Sequence, residues 1–199
     1  LVIVVADVAD KGIGAALFMM TAKTLIKSLA ESGLSPAEIF TQANRRISAH
    51  NDQDIFLTAF LGVFDLTTGR LVCVNAGHEH PLFFKRETTH YSWLDAGHGL
   101  PLGAMGNSRY HEQAFQLYPG DRLLLYTDGV TEANNAEGVL FGDQALLDAM
   151  VAVGADPVHK GHAGGVPQRV VQAVRNFEAG AAQADDITVV AITYQGARS

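Results

Sequence analysis

Apolar and polar positions alternate in two periods along the chain, and the change of period marks its elements. Leu1-Val-Ile-Val-Val-Ala6 is a continuous apolar run dominated by β-branched residues. Such a run reads as a strand covered on both faces. The loop Asp7-Val-Ala-Asp-Lys-Gly12 follows, and then a segment rich in Ala, Leu, Met and Lys predicts a helix from Ala15 to about Leu29. Its positions Leu17, Phe18, Thr21, Leu25 and Leu29 recur at helical spacing and read as its core face. Ser35-Pro-Ala-Glu38 is a helix start: Ser as N-cap, Pro at the first helical position, Glu three residues after the cap. That helix should run to about Ala49.

The middle of the chain shifts to short β-rich runs. Phe56–Phe64, Arg70–Asn75 and Pro81–Lys85 read as strands, with Thr67-Thr-Gly69 turning the first into the second. His90–Leu94 and Tyr110–Leu117 read as further strands. Pro119-Gly-Asp121 is a turn signal, and Asp121–Thr127 a buried strand ending at Asp128-Gly129. Phe141–Val153 predicts a helix, Gly154–Val166 a loop, Pro167 to about Phe177 a helix, and Ile187–Tyr194 a last strand. Helices early and late with antiparallel strands between them indicate an α+β fold. No repeat or linker divides the chain, so one domain over 1–199 is expected.

Composition narrows the function. The 199 residues are 48% apolar and 18% charged, ordinary for a globular domain. A net charge of −7 without Lys/Arg blocks argues against nucleic acid or anionic membrane as partner. No stretch approaches the roughly 18 apolar residues of a membrane span, and the N-terminus lacks the basic region of a signal peptide. Cys73 is the lone cysteine, inside an apolar run with no base pattern around it. It reads as a buried small hydrophobe in a reducing, cytoplasmic setting. The chain begins within a strand and without Met, as a fragment with an upstream part would.

Three acidic positions share a setting. Asp7 closes the first strand, Asp128 closes another and precedes Gly129, and Asp185-Asp186 stand just before the last. Short carboxylates fixed at a sheet rim are the hard oxygen ligands that Mg²⁺ or Mn²⁺ prefer. Grouped acids repel one another, and a divalent ion relieves that repulsion. Rim position alone leaves two roles open: metal ligands, or the turn and cap duties that Asp often performs.

Five blocks carry a specific resemblance. Val4-Val-Ala-Asp-Val-Ala-Asp-Lys-Gly-Ile-Gly-Ala-Ala-Leu-Phe-Met19, Asn75-Ala-Gly-His-Glu-His-Pro81, Gly99-Leu-Pro-Leu-Gly103, Asp121-Arg-Leu-Leu-Leu-Tyr-Thr-Asp-Gly-Val-Thr-Glu132 and Asp185-Asp-Ile-Thr-Val-Val190 occur in this order. Together they resemble the SpoIIE/RsbU-like branch of the PPM metal-dependent serine/threonine phosphatases. The resemblance implies an α-β-β-α sandwich of two antiparallel sheets flanked by helices. It implies two Mn²⁺ or Mg²⁺ ions, with Asp7 as bridging ligand, Val8 lending its backbone carbonyl, and Asp128 and Asp185 as further ligands. Asp186 would support the loop. A water bridging the two ions would attack the phosphoryl group, so no protein nucleophile is needed. The implied substrate is a phosphoserine or phosphothreonine on a small regulatory protein of the anti-sigma-factor-antagonist type, in stress signalling and sigma-factor regulation. An upstream sensor or receiver domain, with homodimerisation through a linker helix, is implied as well. The chain would then be cytoplasmic, or the cytoplasmic part of a larger sensor.

Some positions depart from the family pattern. Ala9-Asp10 stands where many members have Ser-Gly; Asp10 is read as capping the following helix, with a hold on a metal-bound water as the other role. Ala9 occupies the place of the eukaryotic general-acid His, so the leaving-group acid is unassigned. Lys11 is a candidate phosphate contact or a solvated lysine. The family's N-terminal strand, with its acidic Gly-Gly-Asp-type motif, and its preceding helix lie before the first block, so weakened metal binding and low activity are expected. His78-Glu-His80 offers zinc no third ligand, and His78 reads as structural or supporting the site, as does Gly129. Gly12-Ile-Gly14 lacks the third glycine of a dinucleotide loop. The non-catalytic alternative is a degenerate phosphatase module that binds a partner.

Overall fold

A computed structural model describes residues 1–49, 51–155 and 165–197. In chain order the elements are β1 (Val2–Val8), α1 (Ile13–Glu31), α2 (Pro36–Ser48), β2 (Leu57–Phe64), β3 (Arg70–Ala76), β4 (Leu82–Lys85), β5 (His90–Trp93), β6 (Gln113–Gln116), β7 (Arg122–Tyr126), α3 (Gly142–Ala155), α4 (Val166–Glu178) and β8 (Val189–Thr193). They form two antiparallel four-stranded sheets, ordered β1-β2-β3-β6 and β5-β4-β7-β8. The α+β class expected from the sequence is therefore the one observed. The contacts divide the chain into two compact units: Leu1–Asp65 with Arg70–His78 and Ala96–Gln116, and Leu66–Gly69 with Glu79–Asp95 and Leu117–Ser199.

The first unit holds the sheet β1-β2-β3-β6 with α1 and α2. Helix α2 starts where its local chemistry dictates. The Ser35 hydroxyl accepts from the Glu38 amide, and the Glu38 carboxylate accepts from the Ser35 amide, with Pro36 opening the helix. Its buried residues Ile39, Phe40, Ala43 and Ile47 meet Leu57, Ala59 and Leu61 of β2 and Val74 and Ala76 of β3. Helix α1 adds Ala22, Ile26 and Leu29 to this core.

The second unit repeats the plan. Leu82 and Phe84 of β4, Tyr91 of β5, and Leu124 and Tyr126 of β7 pack with Leu146 and Met150 of α3 and Val166, Val170 and Val174 of α4. Helix α4 spans Val166–Glu178, close to its expected bounds. The loop expected at Gly154–Val166 lies for the most part outside the described residues.

Three expectations are corrected. Strand β1 is not covered on both faces: it is the edge of its sheet, with Val2 43% and Val4 41% exposed. A β-branched run reports strand propensity, which an edge position satisfies as well as a central one. The core face of α1 is Ala15, Ala22, Ile26 and Leu29, with Phe18 and Leu25 packed against it; of the expected face, Leu29, Phe18 and Leu25 hold, whereas Leu17 is 64% exposed and Thr21 is also exposed. The helix is apolar around most of its circumference, so periodicity phases it poorly. For the same reason α1 is, by length and composition, apolar enough to cross a membrane: 19 residues with a mean hydropathy of 1.3. Only 22% of that window is buried, although Ala22, Ile26 and Leu29 enter the core of its unit.

Candidate functional site

Asp7 lies near the end of β1, where Asp7 and Val8 still pair with Thr58 and Leu57 of β2. Beyond them the Ala9 amide donates to the Phe56 carbonyl at 3.0 Å, and the chain turns through exposed Asp10 and Lys11 into α1. Asp10 does not cap that helix. Gly12 is the N-cap, with φ 97°, and no side chain caps the helix; the Asp10 Oδ1 accepts instead from the Lys11 amide at 2.7 Å. A left-handed N-cap removes the extended geometry in which an Asp caps.

The rest of the first unit braces this rim. The turn Gly99-Leu-Pro-Leu-Gly103 is tied to the start of β2 by reciprocal backbone bonds between Leu57 and Leu102, both 2.8 Å. Asn44 of α2, fully buried, accepts from the Gly103 amide and donates to the Met105 carbonyl, each at 2.8 Å. His78, 3% exposed, is buried behind β2, with its Nδ1 3.1 Å from the Thr58 hydroxyl oxygen.

In the second unit Asp128 follows β7 and Asp185-Asp186 precede β8, two strands that pair from Arg122–Thr193 to Tyr126–Val189. Thr127 joins their ends. Its amide donates to the Thr188 carbonyl at 3.1 Å, its hydroxyl donates to the Asp186 carbonyl at 3.3 Å, and the same oxygen accepts from the Thr188 amide at 3.0 Å. Gly129 completes the junction, because a Cβ there would overlap the Asp186 carbonyl oxygen. The Asp128 carbonyl accepts from the Glu132 amide at 2.7 Å and from the Thr131 hydroxyl at 3.2 Å, so the chain coils back over Asp128. Asp185 uses one carboxylate oxygen on the Asp186 amide at 2.8 Å. Asp128, Gly129, Asp185 and Asp186 are thus gathered within one unit.

The field around Asp128 is negative. Burial chiefly, then the charges of Asp143, Asp128 and Glu132, raise the Glu79 carboxyl above its ordinary range, against a lowering by His80. Burial pushes the Cys73 thiol up to about 12, which agrees with a structural cysteine. The donors present are hard oxygens of the kind that Mg²⁺ and Mn²⁺ take. Among the described residues, however, no three His, Cys, Asp or Glu side chains are arranged as a ready ligand group. In donor chemistry the residues fit such an ion; no complete cage stands preformed.

Thr58, Asn75, Glu79 and Thr127 did not stand out in the sequence. Asn75 and Glu79 sit inside a motif block and Thr127 directly precedes Asp128, which was the available signal. Nothing local marks Thr58.

The SpoIIE family model (Stage II sporulation protein E) matches residues 1–195. The chain belongs to this family, the SpoIIE/RsbU-like branch of the PPM phosphatases that its motif blocks indicated. Protein IcfG of Synechocystis is 28% identical over 219 residues, covering 96% of this chain and 33% of IcfG. Phosphoserine phosphatase RsbU of Bacillus subtilis is 33% identical over 138 residues, covering 69% of this chain and 41% of RsbU. The chain therefore spans well under half the length of these relatives. Among solved structures, the SiaA-PP2C domain of Pseudomonas aeruginosa superposes with a TM-score of 0.78 at 21% identity, over 97% of this chain and 74% of that one. The RsbU and RsbW domains of Rv1364c from Mycobacterium tuberculosis give 0.77 at 23% identity, over 100% and 52%. At these identities the likeness establishes a shared fold, that of the PP2C-type phosphatase domain.

Proposed function

We propose that the chain is one metal-dependent phosphatase domain acting on phosphoserine or phosphothreonine of a small regulatory protein. The observation that carries this is the junction of Asp128-Gly129 with Asp185-Asp186 in a chain of the SpoIIE family. The relative RsbU is named a phosphoserine phosphatase, and the Rv1364c structure holds an RsbW domain beside its RsbU domain. Both support a regulatory phosphoprotein as substrate and a place in sigma-factor control; a cytoplasmic setting and a sensor module in the same protein are further parts of the proposal.

Two Mn²⁺ or Mg²⁺ ions would be held by Asp7, the Val8 carbonyl, Asp128 and Asp185. When bound, they supply Lewis acidity toward the phosphoryl oxygens and lower the pKa of water. The chain's own residues do the rest. Thr127 and Gly129 hold the two acidic loops in register, and Asp186 braces its loop through its carbonyl. A phosphate brings roughly −1.5 to −2 charges to a strongly acidic surface, so its attraction depends on the ions. Asp10 and Lys11, exposed on the loop after Asp7, are the candidate water or phosphate contacts.

The second reading is a degenerate module that binds a partner without turnover. Hydrolysis of p-nitrophenyl phosphate with Mn²⁺, with chelator, and by Asp128→Asn separates the two. Turnover that needs Mn²⁺ and is lost in the variant supports the enzyme; turnover indifferent to both overturns it.

A further inference from the structure

Asp7 and Thr58 face each other directly in the β1–β2 ladder. Directly opposed residues in an antiparallel pair place their side chains on the same face, within mutual reach. The Thr58 hydroxyl oxygen lies 3.4 Å from the Asp7 carbonyl oxygen and 3.1 Å from the His78 Nδ1. A hydroxyl has one proton to give. With that proton on the Asp7 carbonyl, Thr58 must accept from His78, so Nδ1 carries the imidazole proton and Nε2 the lone pair.

His78 is itself fixed from behind. The Asn75 Oδ1 accepts from the His78 amide at 2.7 Å, and the Asn75 Nδ2 donates to the His78 carbonyl at 2.9 Å. The Asn75 carbonyl accepts from the Gly99 amide at 2.9 Å. Between them Gly77 adopts φ 71°, and a Cβ there would come within 2.8 Å of the Pro101 ring. Both facts favour glycine at this position. Asn75 and His78 are each 3% exposed, so neither touches a substrate.

We propose that Asn75, His78 and Thr58 form a positioning chain that orients the Asp7 end of β1 for metal binding, with His78 held as the Nδ1-protonated tautomer. This rests on the reading of Asp7 as a metal ligand. The need for such a chain follows from topology. β1 is the edge of its sheet, paired along β2 alone, and an exposed loop follows it. The peptide plane after Asp7 leads into the Val8 carbonyl. A bond from Thr58 to the Asp7 carbonyl resists rotation of that plane. A hydrogen bond in a buried, low-dielectric setting is stronger than in water, and groups behind metal ligands orient them.

Calorimetric titration with Mn²⁺ on wild type, Thr58→Val and Thr58→Ser tests it. Valine keeps the shape of threonine and removes the hydroxyl; serine keeps the hydroxyl. Thr58→Val should bind Mn²⁺ about 10- to 100-fold more weakly, and Thr58→Ser should recover most of that loss. Equal affinity in wild type and Thr58→Val overturns the inference, as does an equal loss in Thr58→Ser. Nitrogen-15 NMR of wild-type His78 gives a reading independent of any variant's folding: the Nδ1–H tautomer is expected, and an Nε2–H tautomer overturns the chain. No Mn²⁺ binding by the wild type would instead overturn the reading of Asp7 beneath it.

Discussion

The α-carbon of Gly129 is packed so closely against the carbonyl oxygen of Asp186 that no side chain fits at position 129. Two acidic loops from neighbouring strands are thereby held edge to edge. Gly129→Ala must push them apart. Overpacking of this kind costs about 1–3 kcal/mol, and thermal unfolding should show a midpoint lowered by about 2–10 °C. The same variant should lose Mn²⁺-dependent phosphatase activity out of proportion to its stability at assay temperature.

Asp128→Asn and Asp185→Asn preserve shape and remove charge. Each should lower Mn²⁺-dependent turnover by at least about 100-fold. Val8→Ala is the matched control, since only the Val8 carbonyl is assigned to a metal, and it should stay within about 2-fold of wild type. Steady-state assays on the three variants distinguish ligand loss from general damage.

Glu79 makes stability depend on pH. Burial first, then Asp143, Asp128 and Glu132, raise its folded pKa above the unfolded one. The folded state then holds more protons than the unfolded state, so stability falls as pH rises from the ordinary carboxylate range through the raised value. Glu79→Gln mimics the protonated acid. It should unfold at a higher temperature than wild type at pH 7 in chelator, and the gap should close toward pH 4. A gap that does not change with pH contradicts this.

The Ser35 hydroxyl caps α2. Ser35→Ala should cost about 1 kcal/mol in denaturant unfolding, and Ser35→Asp should retain most of the wild-type stability.

These features differ in how far the sequence discloses them. The start of α2 was legible because its signal is local: Ser35, Pro36 and Glu38 act on backbone groups within one turn. The rim acids Asp128 and Asp185 were legible because a strand visibly ends at one and begins after the other. The exposure of β1 was not, since propensity is the same at the edge and the centre of a sheet. The core face of α1 was legible only in part: Leu29, Phe18 and Leu25 were read correctly, but Leu17 and Thr21 were not, because the phase of an apolar helix is revealed only by tertiary packing. Asp10 misled for a related reason: capping depends on the backbone angles at Gly12, which composition does not report. Thr58 and Thr127 stayed hidden because a single hydroxyl in an apolar strand looks like any other β-branched residue. Cross-strand register sets Thr58 opposite Asp7, and a hydroxyl bond just past the strand ends sets Thr127 beside Asp186.

Metal-dependent hydrolysis of a phosphoserine ester is the activity that the proposed site would perform. Release of inorganic phosphate from a phosphoserine peptide, followed while Mn²⁺ is titrated in and then removed with chelator, measures it most directly. Release should rise with Mn²⁺, stop with chelator and be absent from Asp128→Asn. No release above the uncatalysed rate at saturating Mn²⁺, or release that survives both chelator and Asp128→Asn, would contradict it.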